Sequence, residues 1–352
     1  MKQFVKISLL ILCAALAQSC SVIDDDLSVC QKDPNLELRL NLNLHTELQL
    51  EVNTRLNADI YQDIRPLIIN ALSDIFSDRA HDINAIFYLQ RNNQLEHSIS
   101  DIIDSNQSSY AIYLPADNYD AIALANIKNN GIVTLLDTVI NKEANLQVER
   151  RDTVSSQRTG LFRAARAVEI TDAESQTIDI HLTQVNAAVV LVVDTTEYQP
   201  LGVKAVVDET ASGMNISDST FLFDRHVVVR AEDLNTQNIP HAAADPDSGN
   251  DNGGDTPAEE HKFQCLAAVT MPSRDNADDN GAYFTVKAYV TLNDGTVTEN
   301  ILSVKEPLPA GQIVIIKLNM ADKGVITPVE DSQVGATVKL DWKHGGEHDI
   351  EL

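Results

Sequence analysis

Even-numbered positions from 36 to 52 read Leu36, Leu38, Leu40, Leu42, Leu44, Thr46, Leu48, Leu50 and Val52, while the odd positions between them are polar or charged. A period of two puts one face in a core and the other in water, so the pattern predicts a strand over 36–52. The period then changes. Leu56, Ile60, Ile64, Leu67, Ile68, Leu72, Ile75 and Phe76 follow steps of three and four, which predicts one helix over about 56–77, broken or kinked at Pro66. Its apolar stripe and scarce basic residues suit packing over a sheet edge or the end of a first sandwich better than lying on a membrane surface.

Short strand patterns fill most of the remaining chain. They fall at Ile83–Leu89, Tyr110–Leu114, Tyr119–Ile127, Ile132–Leu136, Ala144–Val148 and Phe162–Ile170 in the first half. In the second half they fall at Ile178–Leu182, Ala187–Val193, Val203–Val207, Val227–Arg230, Cys265–Met271, Tyr283–Leu292, Thr296–Val304, Gln312–Asn319 and Thr337–Trp342. Asn293-Asp294-Gly295 between two of these is a hairpin turn. So many short strands with one helix predict an all-β chain of two tandem β-sandwiches, with the helix inserted in the first. Leu114-Pro115-Ala116 and Leu308-Pro309-Ala310 lead into strands in the same way, a weak echo between the halves. The expected organisation is 1–19 as a signal peptide, 20–34 as a tether, 35–170 and 171–352 as the two sandwiches, and 240–262 as a disordered acidic loop.

The N-terminus supplies an address. Lys2 and Lys6 precede an apolar stretch, Ile7–Ala17, which is too short to cross a bilayer and reads as a secretory signal. Leu16-Ala17-Gln18-Ser19-Cys20 resembles a bacterial lipobox, so Cys20 is the expected lipidation site, carrying diacylglycerol and an acyl chain such as palmitate. Asp24-Asp25-Asp26 just behind it resembles a surface-export signal and also reads as a solvated tether. Cys30 and Cys265 remain in an oxidising compartment, where they either pair as a disulfide or leave Cys265 as a buried free thiol.

Composition narrows the function by exclusion. Of 352 residues, 52 are acidic and 26 basic, a formal charge of −26 that repels a phosphate backbone and argues against nucleic-acid binding. Aromatic residues make up 5%, with Trp342 the single tryptophan, few for a glycan-binding platform. The start of the loop at Asp245-Pro246-Asp247 lacks the later ligands of a calcium loop. His344 and His348 have zinc-helix spacing, but Gly345-Gly346 between them opposes a helix. Nucleophile elbows, phosphate loops and dinucleotide fingerprints are missing from the sequence, so no catalytic, metal, cofactor or small-molecule site is assigned. Arg150, Arg151, Arg158, Arg163 and Arg166 cluster in this acidic chain, as local charge compensation or as an exposed protease site.

Several segments, taken in order, resemble the FimB-type fimbrial anchor family of Bacteroidales. They are Cys20–Cys30 with the leucine-alternating strand behind it, Tyr113-Leu114-Pro115-Ala116, Tyr289–Glu299 and the ending Val338–Asp349. The resemblance implies two transthyretin-like sandwiches and a lipoprotein of the cell outer membrane, surface-exposed, that holds a fimbrium and takes part in its assembly. Its partner would be a fimbrial shaft subunit, joined by strand pairing. An anchor cannot shed its N-terminus without losing Cys20, so the Leu36 strand is expected to stay in place. Val338, Leu340 and Trp342 alternate as a subunit-contact strand requires, although the same residues also read as the last strand of the second sandwich. A stand-alone surface adhesin or ligand-binding lipoprotein is the other function class these features allow.

Overall fold

The computed structural model describes residues 35–43, 47–77, 79–102, 109–136, 145–151, 153–172, 175–235, 263–329 and 336–341. Cys20, Cys30, Trp342 and the expected loop 240–262 lie outside the described residues. The fold is all-β and built of sandwiches, as the strand pattern predicts. Strands are numbered here in chain order.

The first sandwich is a single seven-stranded sheet. Its order is β3 (Leu95–Ile102), β2 (Asp82–Leu89), β5 (Asn118–Ala125), β9 (Phe162–Glu169), β10 (Ser175–Gln184), β1 (Asn35–Asn43) and β4 (Ser109–Tyr113). β9 and β10 pair only through Thr183 with Arg163 and Gln184 with Phe162, a corner at which the sheet turns over on itself. Leu36, Leu38, Ile112 and Ile180 from one side of that corner then share a core with Ile83, Phe87, Tyr119 and Ala121 from the other. β1 is held on both edges, by nine registered pairs with parallel β10 and five with antiparallel β4. The sheet therefore extends past residue 170 to Gln184.

The second sandwich stacks two sheets. One has the order β16 (Glu232–Asp233), β17 (Phe263–Thr270), β11 (Ala187–Asp194), β20 (Ile313–Ala321) and β21 (Val325–Pro328). The other runs β22 (Ala336–Asp341), β19 (Val297–Val304), β18 (Phe284–Thr291), β12 (Gly202–Asp208), β15 (Val228–Arg230) and β8 (Thr153–Val154). Val189, Leu191, Ile316 and Leu318 meet Val203, Ala205, Val286 and Leu302 between them. A small four-stranded sheet, β14 (Phe221–Leu222), β13 (Gly213–Asn215), β7 (Asn145–Val148) and β6 (Val133–Leu136), draws strands from both halves of the chain. It adds Val133, Val148 and Met214 to the same core, which Ile86, Tyr88, Ile122 and Leu124 enter from the other face of the first sandwich.

Two expectations for residues 44–77 are corrected. The alternating strand stops at Asn43, and residues Leu48–Arg55 form a helix, α1. Leu48, Val52 and Leu56 are four apart, so they satisfy the period of two and also line one face of a helix, where they are buried. Leu50, which a strand would bury, is 61% exposed. The single helix over 56–77 is instead a 3-10 turn at Asp59–Tyr61 followed by α2 at Arg65–Leu72. Pro66 falls in the first turn of α2, where a proline lacks no hydrogen bond, so it starts a helix and does not kink one. Arg65 fixes the junction by donating from Nε to the Leu56 carbonyl at 2.6 Å and from Nη2 to the Ala58 carbonyl at 2.8 Å.

This helical segment covers the second sandwich, not the end of the first. Leu48, Val52, Ile64, Ile68 and Leu72 pack on Ala188, Val190, Val192, Cys265, Val269 and Ile315 of the five-stranded sheet. β11, with the sequence Ala-Ala-Val-Val-Leu-Val-Val-Asp, is buried on both faces because the helices cover one and the six-stranded sheet the other. Shortening a fully buried contact there leaves a cavity. Ile68→Ala should therefore lower stability by about 3 kcal/mol, read as a lower urea midpoint at unchanged m-value.

Candidate functional site

The C-terminal edge of the second sandwich is built from β18, β19, β21 and β22. The hairpin between β18 and β19 turns at the expected Asn293-Asp294-Gly295, with Gly295 at φ +85° and its N–H donating to the Leu292 carbonyl at 2.9 Å. Asp294 Oδ1 accepts from the Thr296 N–H at 2.9 Å, and that backbone bond holds the Asp294 carboxyl below its usual range. β22 pairs antiparallel with β19 from Val304 opposite Ala336 to Glu299 opposite Asp341. Val338 stands in register with Leu302 and Leu340 with Asn300, two positions whose β19 residues are buried. Of the expected contact residues, Val338 and Leu340 thus share one strand at the end of a sheet, and Trp342 lies outside the described residues.

The neighbouring edge, β21, is chemically closed. Asn300 on β19 donates from Nδ2 to the Gly324 carbonyl at 2.9 Å and accepts the Ile326 N–H on Oδ1 at 2.9 Å. Pro328, at the end of β21, has no N–H to offer an added strand. Thr298 Oγ1 donates to the Lys323 carbonyl at 2.9 Å, clamping the same turn. Gly324 has φ +69°, and a Cβ there would come within 2.8 Å of Leu292 and 2.9 Å of Val290, so the turn presses on β18 and only glycine fits. A strand joining this end of the molecule finds β21 capped and β22 at the outside of its sheet.

Asn300 was not singled out from the sequence, although it leaves a signal: it is the one wholly buried polar residue in the inward phase Thr298, Asn300, Leu302, Val304. The same holds for a cluster of buried amides between the halves. Asn186 Nδ2 donates to Gln157 Oε1 and to the Thr159 carbonyl, both at 2.9 Å, and its Oδ1 accepts the Leu161 N–H at 3.1 Å. Gln184 Nε2 reaches the Ile75 carbonyl at 3.0 Å, and Asn126 Nδ2 reaches the Gly160 carbonyl at 2.8 Å. These contacts tie β10, β11, the helical segment and the crossing chain at 156–161 into one unit.

The remaining candidates are structural. Cys265 lies on β17 beneath the helices, 0% exposed, and burial, with the Asp233 charge adding, pushes its thiol up to about 12. Arg163 donates to the Ile216 and Ser217 carbonyls at 2.7 and 2.5 Å, joining β9 to the turn after β13, and Arg166 donates to the Asp179 carbonyl at 2.6 Å. A cleft of about 740 Å³ beside β12 holds His226, Arg274 and Tyr283. Its basic side chains are already engaged: His226 Nε2 lies 2.5 Å from Asp208 Oδ1, Arg225 donates to the Val148 carbonyl at 2.8 Å, and Arg274 lies 4.8 Å above the Phe223 ring. Among the described residues no three His, Cys, Asp or Glu side chains are placed to hold a metal ion, and no helix is long and apolar enough to cross a membrane.

Residues 42–344 match the family of fimbrillin-A associated anchor proteins Mfa1 and Mfa2. The chain belongs to this family. The resemblance to a fimbrial anchor family drawn from the order of the segments is borne out, and the family is one of structural proteins, not of enzymes. No curated protein matches the chain. Among solved structures, a protein of Bacteroides thetaiotaomicron described as a candidate polysaccharide-binding protein shares the fold, with a TM-score of 0.50 at 11% identity over 85% of this chain and 100% of its own. The fimbrial anchor protein Mfa2 of Porphyromonas gingivalis is similar at a TM-score of 0.48 and 10% identity, over 87% of this chain and 98% of its own. A candidate adhesin of Bacteroides ovatus gives 0.49 at 8% identity, over 86% and 95%.

Two measurements check this account of the family member. Asn300→Ala strands the Ile326 N–H and the Gly324 carbonyl without partners and should cost about 2 kcal/mol in urea unfolding. In a soluble Cys20→Ala, Cys30→Ser protein, Cys265 should react with DTNB about 100-fold more slowly than in the unfolded chain at pH 8. Because the folded thiol titrates above the unfolded one, its contribution to stability is complete below the ordinary thiol range and is lost as pH rises toward 12.

Proposed function

We infer that this anchor-family protein is a lipoprotein of the outer membrane that holds a fimbrium to the cell surface, with acyl chains on Cys20 as its membrane attachment. Each buried methylene of such a chain contributes ~0.8 kcal/mol, and two or more chains make attachment effectively permanent. Family membership over 42–344 carries the reading. The fold supports it in two ways. β1, the described strand nearest Cys20 in the chain, is bonded on both edges, so a pull along it loads all its hydrogen bonds together. At the other end of the chain, β22 is the last strand of its sheet while β21 is capped, which favours β22 as the strand that pairs with a shaft subunit.

The test uses electron microscopy of source cells with fractionation, together with capture of the shaft subunit by purified protein. Cys20→Ala should move both the protein and its fibres into the medium. Removing residues 336–352 should reduce shaft capture by at least about tenfold, the loss expected when a paired strand is deleted. Fibres that remain on Cys20→Ala cells would show that the lipid is not the anchor, and undiminished capture by the truncated chain would move the joint away from β22.

A further inference from the structure

Where the helical segment meets the five-stranded sheet, the cover is incomplete. A groove of about 1090 Å³ opens between the turn at Asp59–Ile64 and the ends of β11, β17 and β20. That volume exceeds the ~300–1,000 Å³ of pockets for small ligands. Its walls carry Asp59, Asp63, Asp194 and Glu197, and no lysine or arginine lines it among the described residues. Between the carboxylates it offers apolar surface from Ile60, Leu67 and Phe263, with Ile60 61% exposed.

We propose that this groove docks a segment of a partner protein in which basic side chains alternate with aliphatic ones. The carboxylates do not converge on a metal position among the described residues, so a set of separated cations complements them better than a single ion. Of the chain's own segments outside the described residues, 20–34, 236–262 and 342–352 are unsuited by charge, since each holds more Asp and Glu than Lys and Arg. Asn235 and Phe263 also line the groove, and neither brings a positive charge to it. The site is separate from β22, so it would serve a second contact of the assembled fimbrium base and does not depend on the strand joint.

The experiment is fluorescence anisotropy of a labelled eight-residue peptide alternating Lys and Val, titrated with the full mature chain carrying Cys20→Ala. A Glu–Val peptide is the sign control. Exposed pairs of this kind are individually weak, so Asp59→Asn with Asp63→Asn should weaken binding about fivefold, and 0.5 M salt should weaken it further. Ile60→Ser should weaken it about threefold through lost apolar contact. The paired control Asp278→Asn with Asp279→Asn, on an exposed loop elsewhere, should leave it unchanged. Absence of binding, equal binding of the Glu–Val peptide, or equal loss in the control pair would overturn the proposal, the last by showing attraction to the acidic surface at large. These variants keep β22 and Cys20-dependent anchoring testable in parallel, so failure here is distinguishable from failure of the strand joint.

Discussion

The architecture rests on one strand that is apolar on both faces. β11 presents Val189, Leu191 and Val193 to the six-stranded sheet and Ala188, Val190 and Val192 to the opposite side. A two-layer sandwich would leave the second set in water, at a cost of roughly 1.5–3 kcal/mol for each large side chain. The cover comes from residues 48–76, which the chain spells out between two strands of the first sandwich. That cover makes the two halves a mechanical unit, because the segment cannot leave its sheet without exposing both surfaces.

The buried amides act on the same junction by a different force. Apolar contact is indifferent to direction, so it does not fix how two sandwiches sit against each other. Asn186, Gln184 and Asn126 do, because each side-chain amide bonds particular backbone groups from separate elements, while Gln157 Oε1 accepts from Asn186. In a low-dielectric interior, moving one partner leaves the others unpaired at about 1–3 kcal/mol apiece. Gly160 lies within this network, and any side chain there would overlap the carbonyl oxygen of Ile75.

Edges complete the functional picture. Every open sheet presents unpaired backbone groups at its edges, and folded proteins commonly block them. In the second sandwich β21 is blocked by a side chain and a proline, whereas β22 ends its sheet. Among the described residues the two edges at this end therefore differ, β21 closed and β22 last in its sheet.

The all-β class, the hairpin at Asn293-Asp294-Gly295 and most core strands were legible in local pattern, because a period of two and a glycine turn are properties of a few adjacent residues. The family was legible as well, in the order of its segments. The helix α1 was not: Leu48 and Val52 fit both periods, and only the presence of an apolar sheet face at the right distance decided between them. The short strands β8, β13, β14 and β16 were also hidden, since two or three residues carry no measurable period and form only where a longer neighbour offers its edge. Asn300 and Asn186 look like interruptions in sequence and become connections in space. The sequence by itself thus determined which residues must be buried and how often the chain must turn. Tertiary structure alone decided what covers the far side of β11, through contacts between residues more than a hundred positions apart, and which edge is closed, through Asn300 reaching Ile326 on a separate strand.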